Sequence, residues 1–333
     1  MRALVVTNMH PSARAPALGR FVADQVAALR ALPGIEVELF AFPPGLRSYP
    51  RAARELRRRY RGQRFDVVHA HYGLTAWPAL AVRGAPHVVT FHGTDLAHAR
   101  TRELSRAALP FLDLAATVSA SLAQRLPGGA AAVAPGGAGG PRRSLVPLPL
   151  RRRARPRVAV LPCGVDLGRF RPLPRREARE RLGLDPAGPY LLFPADPARA
   201  EKRFDRAREV AGDVPLLTLG AVDPDEVPSW VNAANAVLVP SEREGFGLAV
   251  LEALACDVPV LATPAGIAPL ALDGVEGAHC GPFDAGTWRN VLAPHLATAD
   301  PRVEGRARAE LFSAERMAER VAVAWRALAA AAS

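Results

Sequence analysis

Two glutamates bracket a glycine turn in the stretch "VPSEREGFGLAVLEALACDVPVLAT", residues 239–263. Glu244 precedes the turn and Glu252 follows it, between the strand-like "AVLVP" and the helix-like "LAVLEALAC". Gly245 and Gly247 allow backbone N–H groups to turn toward a ligand, and a helix N-terminus adds partial positive charge. By its physics the turn reads as a phosphate site; the plain alternative is an ordinary strand–turn–helix join, which many α/β domains have. The carboxylates do not suit glycoside hydrolysis. Eight helical residues rise roughly 12 Å, Glu244 lies before the helix, and hydrolytic pairs stand about 5–9.5 Å apart. They suit a ligand lying across the helix start, with hydroxyls at either end. Lys202, in "PARAEKRFDRA" (197–207), is the only lysine among the 43 Lys and Arg of the 333-residue chain. A compact ammonium matches a single phosphate oxygen where a planar guanidinium fork does not. The plain alternative is one lysine left by chance on a solvated helix.

These residues need elements to place them. Short apolar runs alternate with helical periodicity from the start. Ala3–Thr7 reads as a buried strand, and Leu18, Phe21, Val22, Val26, Leu29 and Leu32 form one helix face that Pro33-Gly34 stops. Val37, Leu39 and Ala41 alternate with Glu36, Glu38 and Phe40 as a second strand. Further strands are expected at 66–70, 87–91, 114–118 and 158–162. The pattern restarts after a proline-punctuated connector near 166–186, with strands at 190–194, 215–220, 236–240 and 258–262 and a final helix in "SAERMAERVAVAWRALAAA". Strands separated by helices imply parallel sheets covered on both faces. Two doubly wound α/β domains are expected, facing each other across a cleft at their strand C-termini. Residues 127–157, rich in Gly, Pro, Ala and Arg, read as a loop of the first domain.

Composition narrows the function classes. Apolar residues make up 49% of the chain, enough for two cores. No uncharged apolar run reaches about 18 residues, and "MRALVVTNMH" is too short an apolar start for a signal peptide. Cys163, Cys256 and Cys280 form no CxxC pair, which fits a reducing cytoplasm. The formal charge of +11 raises nucleic acid as a partner. The basic runs at 54–64 and 141–157 lack interleaved aromatics, so an anionic membrane surface is the better functional partner and nucleic acid is not expected. "NMHPSARAPALG" after the first strand lacks a GxGxxG turn, which disfavours a nicotinamide dehydrogenase.

Taken together, several segments resemble the retaining glycosyltransferases of family 4, which have the GT-B fold. Glu244, seven residues and then Glu252 resemble that family's E-x₇-E signature. "TNMHPSARAPALGRFVADQVAAL", "FDVVHAHYG", "VVTFHGTD", "VLPCGVDLGRFRP", "FPADPARAEKRFDRA" and "FSAERMAERV" match its other landmarks in order and spacing, over nearly the whole chain. The resemblance implies an N-terminal Rossmann-like acceptor domain over 1–165, a donor domain over 166–313, and a last helix, 314–333, packing back toward the first domain. It implies that Glu244 contacts hydroxyls of the donor sugar and Glu252 the nucleotide ribose. Gly245, Phe246, Gly247 and Leu248 would present the helix start to sugar and phosphate, Lys202 would hold the diphosphate, and His92 would face the transferred sugar. Gly19 would let the N-terminal loop approach the phosphate. The family usually carries an arginine where this chain has Pro197, and Arg199 is the nearest substitute.

The implied activity is metal-independent transfer of a hexose-type sugar from a UDP- or GDP-linked donor to an acceptor hydroxyl. The implied acceptor is a glycan or lipid-linked glycan of the cell envelope. No cofactor is expected beyond the nucleotide sugar. The expected location is the cytoplasm, with the arginine runs meeting the inner leaflet. The alternatives are a nucleotide-sugar epimerase on the same fold and an inactive membrane-surface binding module.

Overall fold

The structure, a computed structural model, describes residues 1–13, 15–127, 157–220 and 222–332. The chain forms two compact units, residues 1–163 with 315–333 and residues 164–314.

In the first unit β1 (Arg2–Thr7), β2 (Glu36–Ala41), β3 (Val67–His71), β4 (His87–Phe91), β5 (Leu114–Thr117) and β6 (Arg157–Val160) make one sheet, ordered β2-β1-β3-β4-β5-β6. In the second unit β7 (Leu191–Phe193), β8 (Leu216–Thr218), β9 (Ala236–Val239), β10 (Val260–Ala262) and β11 (His279–Cys280) are ordered β11-β10-β9-β7-β8. Every pairing between these strands is parallel. Both sheets are therefore doubly wound. The chain leaves the first strand of each toward one edge and returns to pair on its other side, so β1/β3 and β7/β9 are the switch points. In open sheets of this kind the crevice for ligands forms at the carboxyl ends of such strands.

Burial on both faces explains why the inner strands read as unbroken apolar runs. β3, β4, β5, β7, β9 and β10 are buried at every position. In the second unit Leu191, Phe193, Leu238 and Leu261 pack with Trp288 and Leu292 of the helix Ala285–Ala297 into one cluster. At the sheet edge the alternation expected for β2 fails. Val37 and Phe40 are the buried residues and Ala41 is exposed, because Phe40 turns onto Phe42 and Tyr60, with ring centroids 6.3 and 6.4 Å away. β11 was not expected. Its two residues lie in "GAHCGP", which has no apolar run to mark a strand.

The expected loop and the basic run at 141–157 lie outside the described residues, apart from Pro127 and Arg157. The other basic run occupies the helix Ser48–Arg59 and the residues after it. There Ala52 and Leu56 face inward, while Arg51, Arg54, Arg57, Arg58 and Arg59 are exposed. Among the described residues no helix is long and apolar enough to cross a membrane.

Candidate functional site

In the second unit the loops leaving β7 and β9 flank the switch point, and they carry Lys202 and Glu244. Lys202 ends a short 3₁₀ turn, Ala200–Lys202, and Arg203 follows in the left-handed region at φ 57°. The Lys202 ammonium donates to both oxygens of Glu244, at 2.7 and 2.6 Å. The hydroxyl of Ser241 donates to Oε1 of the same carboxylate at 2.7 Å. The pair is largely enclosed, with side chains 15% and 8% exposed. Two further contacts tie the loops together: the backbone N–H of Glu242 donates to the carbonyl of Glu201 at 3.0 Å, and Arg203 donates to Glu242 at 2.6 Å.

The glycine turn follows. Phe246 is buried, and Gly247, at φ 92°, opens the helix Leu248–Ala255. A β-carbon is disfavoured in that left-handed geometry, so glycine is the residue that lets the chain turn there. Glu252 lies half-buried in the second turn of the helix, and Leu248 begins it. Behind the turn stands a residue that sequence reasoning missed, Gly266, in the loop after β10. At φ 63°, a β-carbon built on it would lie 2.2 Å from the carbonyl oxygen of Phe246 and 2.8 Å from Cβ of Glu244. The neighbouring Ile267 donates its N–H to that carbonyl at 2.7 Å. Thr263 closes the support by donating to the carbonyl of Ser241. The available signal was "TPAGIAP", a Pro/Gly loop at a strand end.

Arg199 stands apart from this cluster. Its guanidinium donates twice to Glu201 Oε1, at 3.0 and 2.7 Å, and is half exposed. Pro197 brings no charge in its place.

His92 and Gly19 belong to the first unit. Gly19 (φ 68°) caps the helix Arg20–Ala31, and a β-carbon there would lie 2.2 Å from the Met9 carbonyl oxygen. The N-terminal loop is thus folded hard against the start of this helix. His92 follows β4. Its Nε2 lies 3.0 Å from Nδ1 of His71, and its ring packs 4.8 Å from that of Phe21. Asp95 orders this loop. Its buried carboxylate accepts backbone N–H groups from His92, Gly93 and Gly73, and the helix Thr94–Ala97 starts without a side-chain cap. Asp95 also holds the turn that leaves β3, where Tyr72 is strained at φ 80°. Burial pushes the Asp95 carboxyl up, against the pull of those N–H groups.

His71 and His69 sit two positions apart on β3, on the same face, with their rings stacked, centroids 4.6 Å apart. Burial pushes His71 down to about 3. Burial, then the neighbouring His71 and His92, holds His69 well below the ordinary imidazole range. His92 is lowered for the same reasons, burial and then His71. His69 and His71 are therefore uncharged in the fold and take up protons on unfolding below about pH 6.5. Because the unfolded chain binds more protons, stability falls as pH drops from about 6.5, by up to about 1.4 kcal/mol per pH unit for each histidine. Urea unfolding at pH 7, 6 and 5 measures this slope, and equal stabilities at all three would overturn the assignment.

The arrangement matches known proteins at the level of fold. Over 99% of the chain it superposes on all of a sucrose-phosphate synthase from Thermosynechococcus elongatus, with a TM-score of 0.70 and 19% identity. It also superposes over 98% on all of HepE from Anabaena in complex with UDP and glucose, with a TM-score of 0.68 and 16% identity. The fold is GT-B. Residues 4–132 match the model for Glycosyltransferase Family 4, and residues 194–295 match that for Glycosyl transferases group 1. Each unit of this GT-B chain thus contains a segment that matches a glycosyltransferase family model. A D-inositol 3-phosphate glycosyltransferase of Mycolicibacterium gilvum is 33% identical over 45% of the chain and 41% of that relative. One from Frankia alni is 31% identical over 64% of the chain and 61% of the relative. The chain thus spans less than two thirds of the length of these relatives.

Proposed function

We propose that this GT-B protein is a retaining glycosyltransferase that moves a hexose-type sugar from a UDP- or GDP-linked donor to an acceptor hydroxyl without a metal. The observation that carries this reading is the convergence of Lys202, Ser241 and Glu244 at the β7/β9 switch point, beside a glycine turn that opens a helix. Departure of a diphosphate builds negative charge, and the Lys202 ammonium and the helix N-terminus would stabilise it. Glu244 would give up part of the ammonium to the phosphate and turn an oxygen to a sugar hydroxyl. A role for Arg199 would require it to leave Glu201. His92 would face the transferred sugar.

The UDP and UDP-glucose in the HepE complexes favour a uridine donor. The inositol phosphate named for the relatives favours a phosphorylated cyclitol as acceptor over an envelope glycan. The test is a thermal-shift panel of UDP, GDP and ADP, followed by turnover of the matching nucleotide sugar. A nucleotide at 100 times its Kd is expected to add about 2.7 kcal/mol of stability. The absence of a shift from all three would remove the reading. A glycosylated product, rather than an epimerised sugar nucleotide or no turnover, separates transferase from epimerase and binding module.

A further inference from the structure

The helix Ala314–Ala332 belongs to the first unit, and it places a wholly buried Trp325 against β3. The indole Nε1 lies 3.1 Å from Nδ1 of His69, across 256 positions of sequence. An indole N–H can only donate. Nδ1 of His69 must therefore offer a lone pair, and the proton of the neutral ring sits on Nε2. That nitrogen lies 2.7 Å from the hydroxyl oxygen of Thr90, which accepts it. One contact thus selects one tautomer and excludes the charged ring, which would set two N–H groups head to head. The indole meets the His69 ring edge-on, at 5.7 Å and 84°. His69 in turn stacks on His71 at 4.6 Å and 24°, and His71 on His92 at 5.3 Å and 23°.

We propose that Trp325 is a positioning residue: it fixes the tautomer and tilt of His69 and, through the stacked His71, the orientation of the His92 ring. The significance for catalysis rests on the reading that His92 faces the transferred sugar. The chain of contacts does not depend on that reading. A tryptophan that merely fills space under β3 would act through its volume, whereas this role belongs to its N–H.

Two replacements at position 325 separate these cases. Trp325→Phe removes volume and donor together, while β-(3-benzothienyl)alanine at 325 keeps the shape and removes only the donor. Nitrogen-15 NMR of histidine-labelled full chain reads the ring tautomers. The wild type is expected to show His69 protonated on Nε2 alone. Both variants are expected to show His69 with protons on both nitrogens in exchange, and displaced ring resonances for His92. With a working donor and acceptor, the isosteric variant is expected to lose about tenfold in kcat with little change in KM for the nucleotide sugar, since a misplaced group costs rate more than binding. A His69 that stays wholly Nε2-protonated in the isosteric variant, or unmoved His92 resonances, would overturn the proposal. So would tautomer release with unchanged kcat. The NMR readouts need no turnover, so a chain that transfers no sugar still answers them.

Discussion

Lys202→Ala is expected to lower the rate of sugar transfer by about 10²–10³ or more, the scale of about 3–4 kcal/mol seen when one preorganised donor to a developing anion is lost. The ammonium is the only cation that reaches Glu244 among the described contacts, and the two loops that present it are tied to each other. Removing it also leaves the largely enclosed carboxylate with Ser241 as its described partner. An uncompensated charge of that kind costs about 3–5 kcal/mol when deeply buried. Lower turnover of the single variant could therefore reflect a weakened fold. Lys202→Ala combined with Glu244→Gln removes both charges, and is expected to recover stability without recovering turnover or the thermal shift from nucleotide. Lys202→Arg is expected to recover turnover only in part, because its planar fork is matched to paired acceptors where a compact ammonium meets a single phosphate oxygen. Turnover of purified Lys202→Ala at the wild-type rate would end the assignment.

Gly266→Ala is expected to be the second most damaging change, although position 266 carries no chemistry. Two costs add there. The left-handed backbone at φ 63° costs a non-glycine residue about 1–2 kcal/mol. In addition, the new methyl group would be driven into the Phe246 carbonyl at 2.2 Å, so backbone that shapes the glycine turn must move. Gly183→Ala is the matched control. Its φ is 67°, and a β-carbon there meets no atom within 4 Å. The control is expected to lose only the backbone term and keep its nucleotide response. Gly266→Ala is expected to lose about 3 kcal/mol or more and the response with it. Equal unfolding midpoints for the two variants would show that the close approach behind Glu244 carries no weight.

The parallel sheets were legible because covering both faces writes strands as unbroken apolar runs, and these run close to the observed β3, β4, β7, β9 and β10. β11 lacked such a run, and β2, at an edge, buries Phe40 where alternation pointed to its neighbours. Within the candidate site, residue types gave Lys202, Glu244 and Gly247 as separate pieces. That Lys202 and Glu244 pair was not readable, since 42 positions separate them and a shared switch point unites them. The role of Asp95 was not readable either, since the nearest local use of such a carboxylate is the start of a helix. Its carboxylate instead collects N–H groups from the ends of two adjacent strands. Gly266 and Trp325 act only through what stands opposite them, which the sequence does not name.

The first unit is assembled from two stretches of chain, with the whole second unit between them. On a ribosome working at about 5–20 residues per second, His69 emerges roughly 13–50 s before Trp325, which is 256 positions later. During that interval the second unit can fold as a contiguous piece. The first unit must wait with β3 uncovered and the Nδ1 lone pair of His69 lacking its indole donor. The apolar stripe of Met317, Ala318, Val321, Ala322 and Trp325 then closes the earlier-made half last. Completion of the histidine stack thereby waits until both units have been synthesised, so that a nascent chain holds a formed glycine turn before it holds a completed stack at His92.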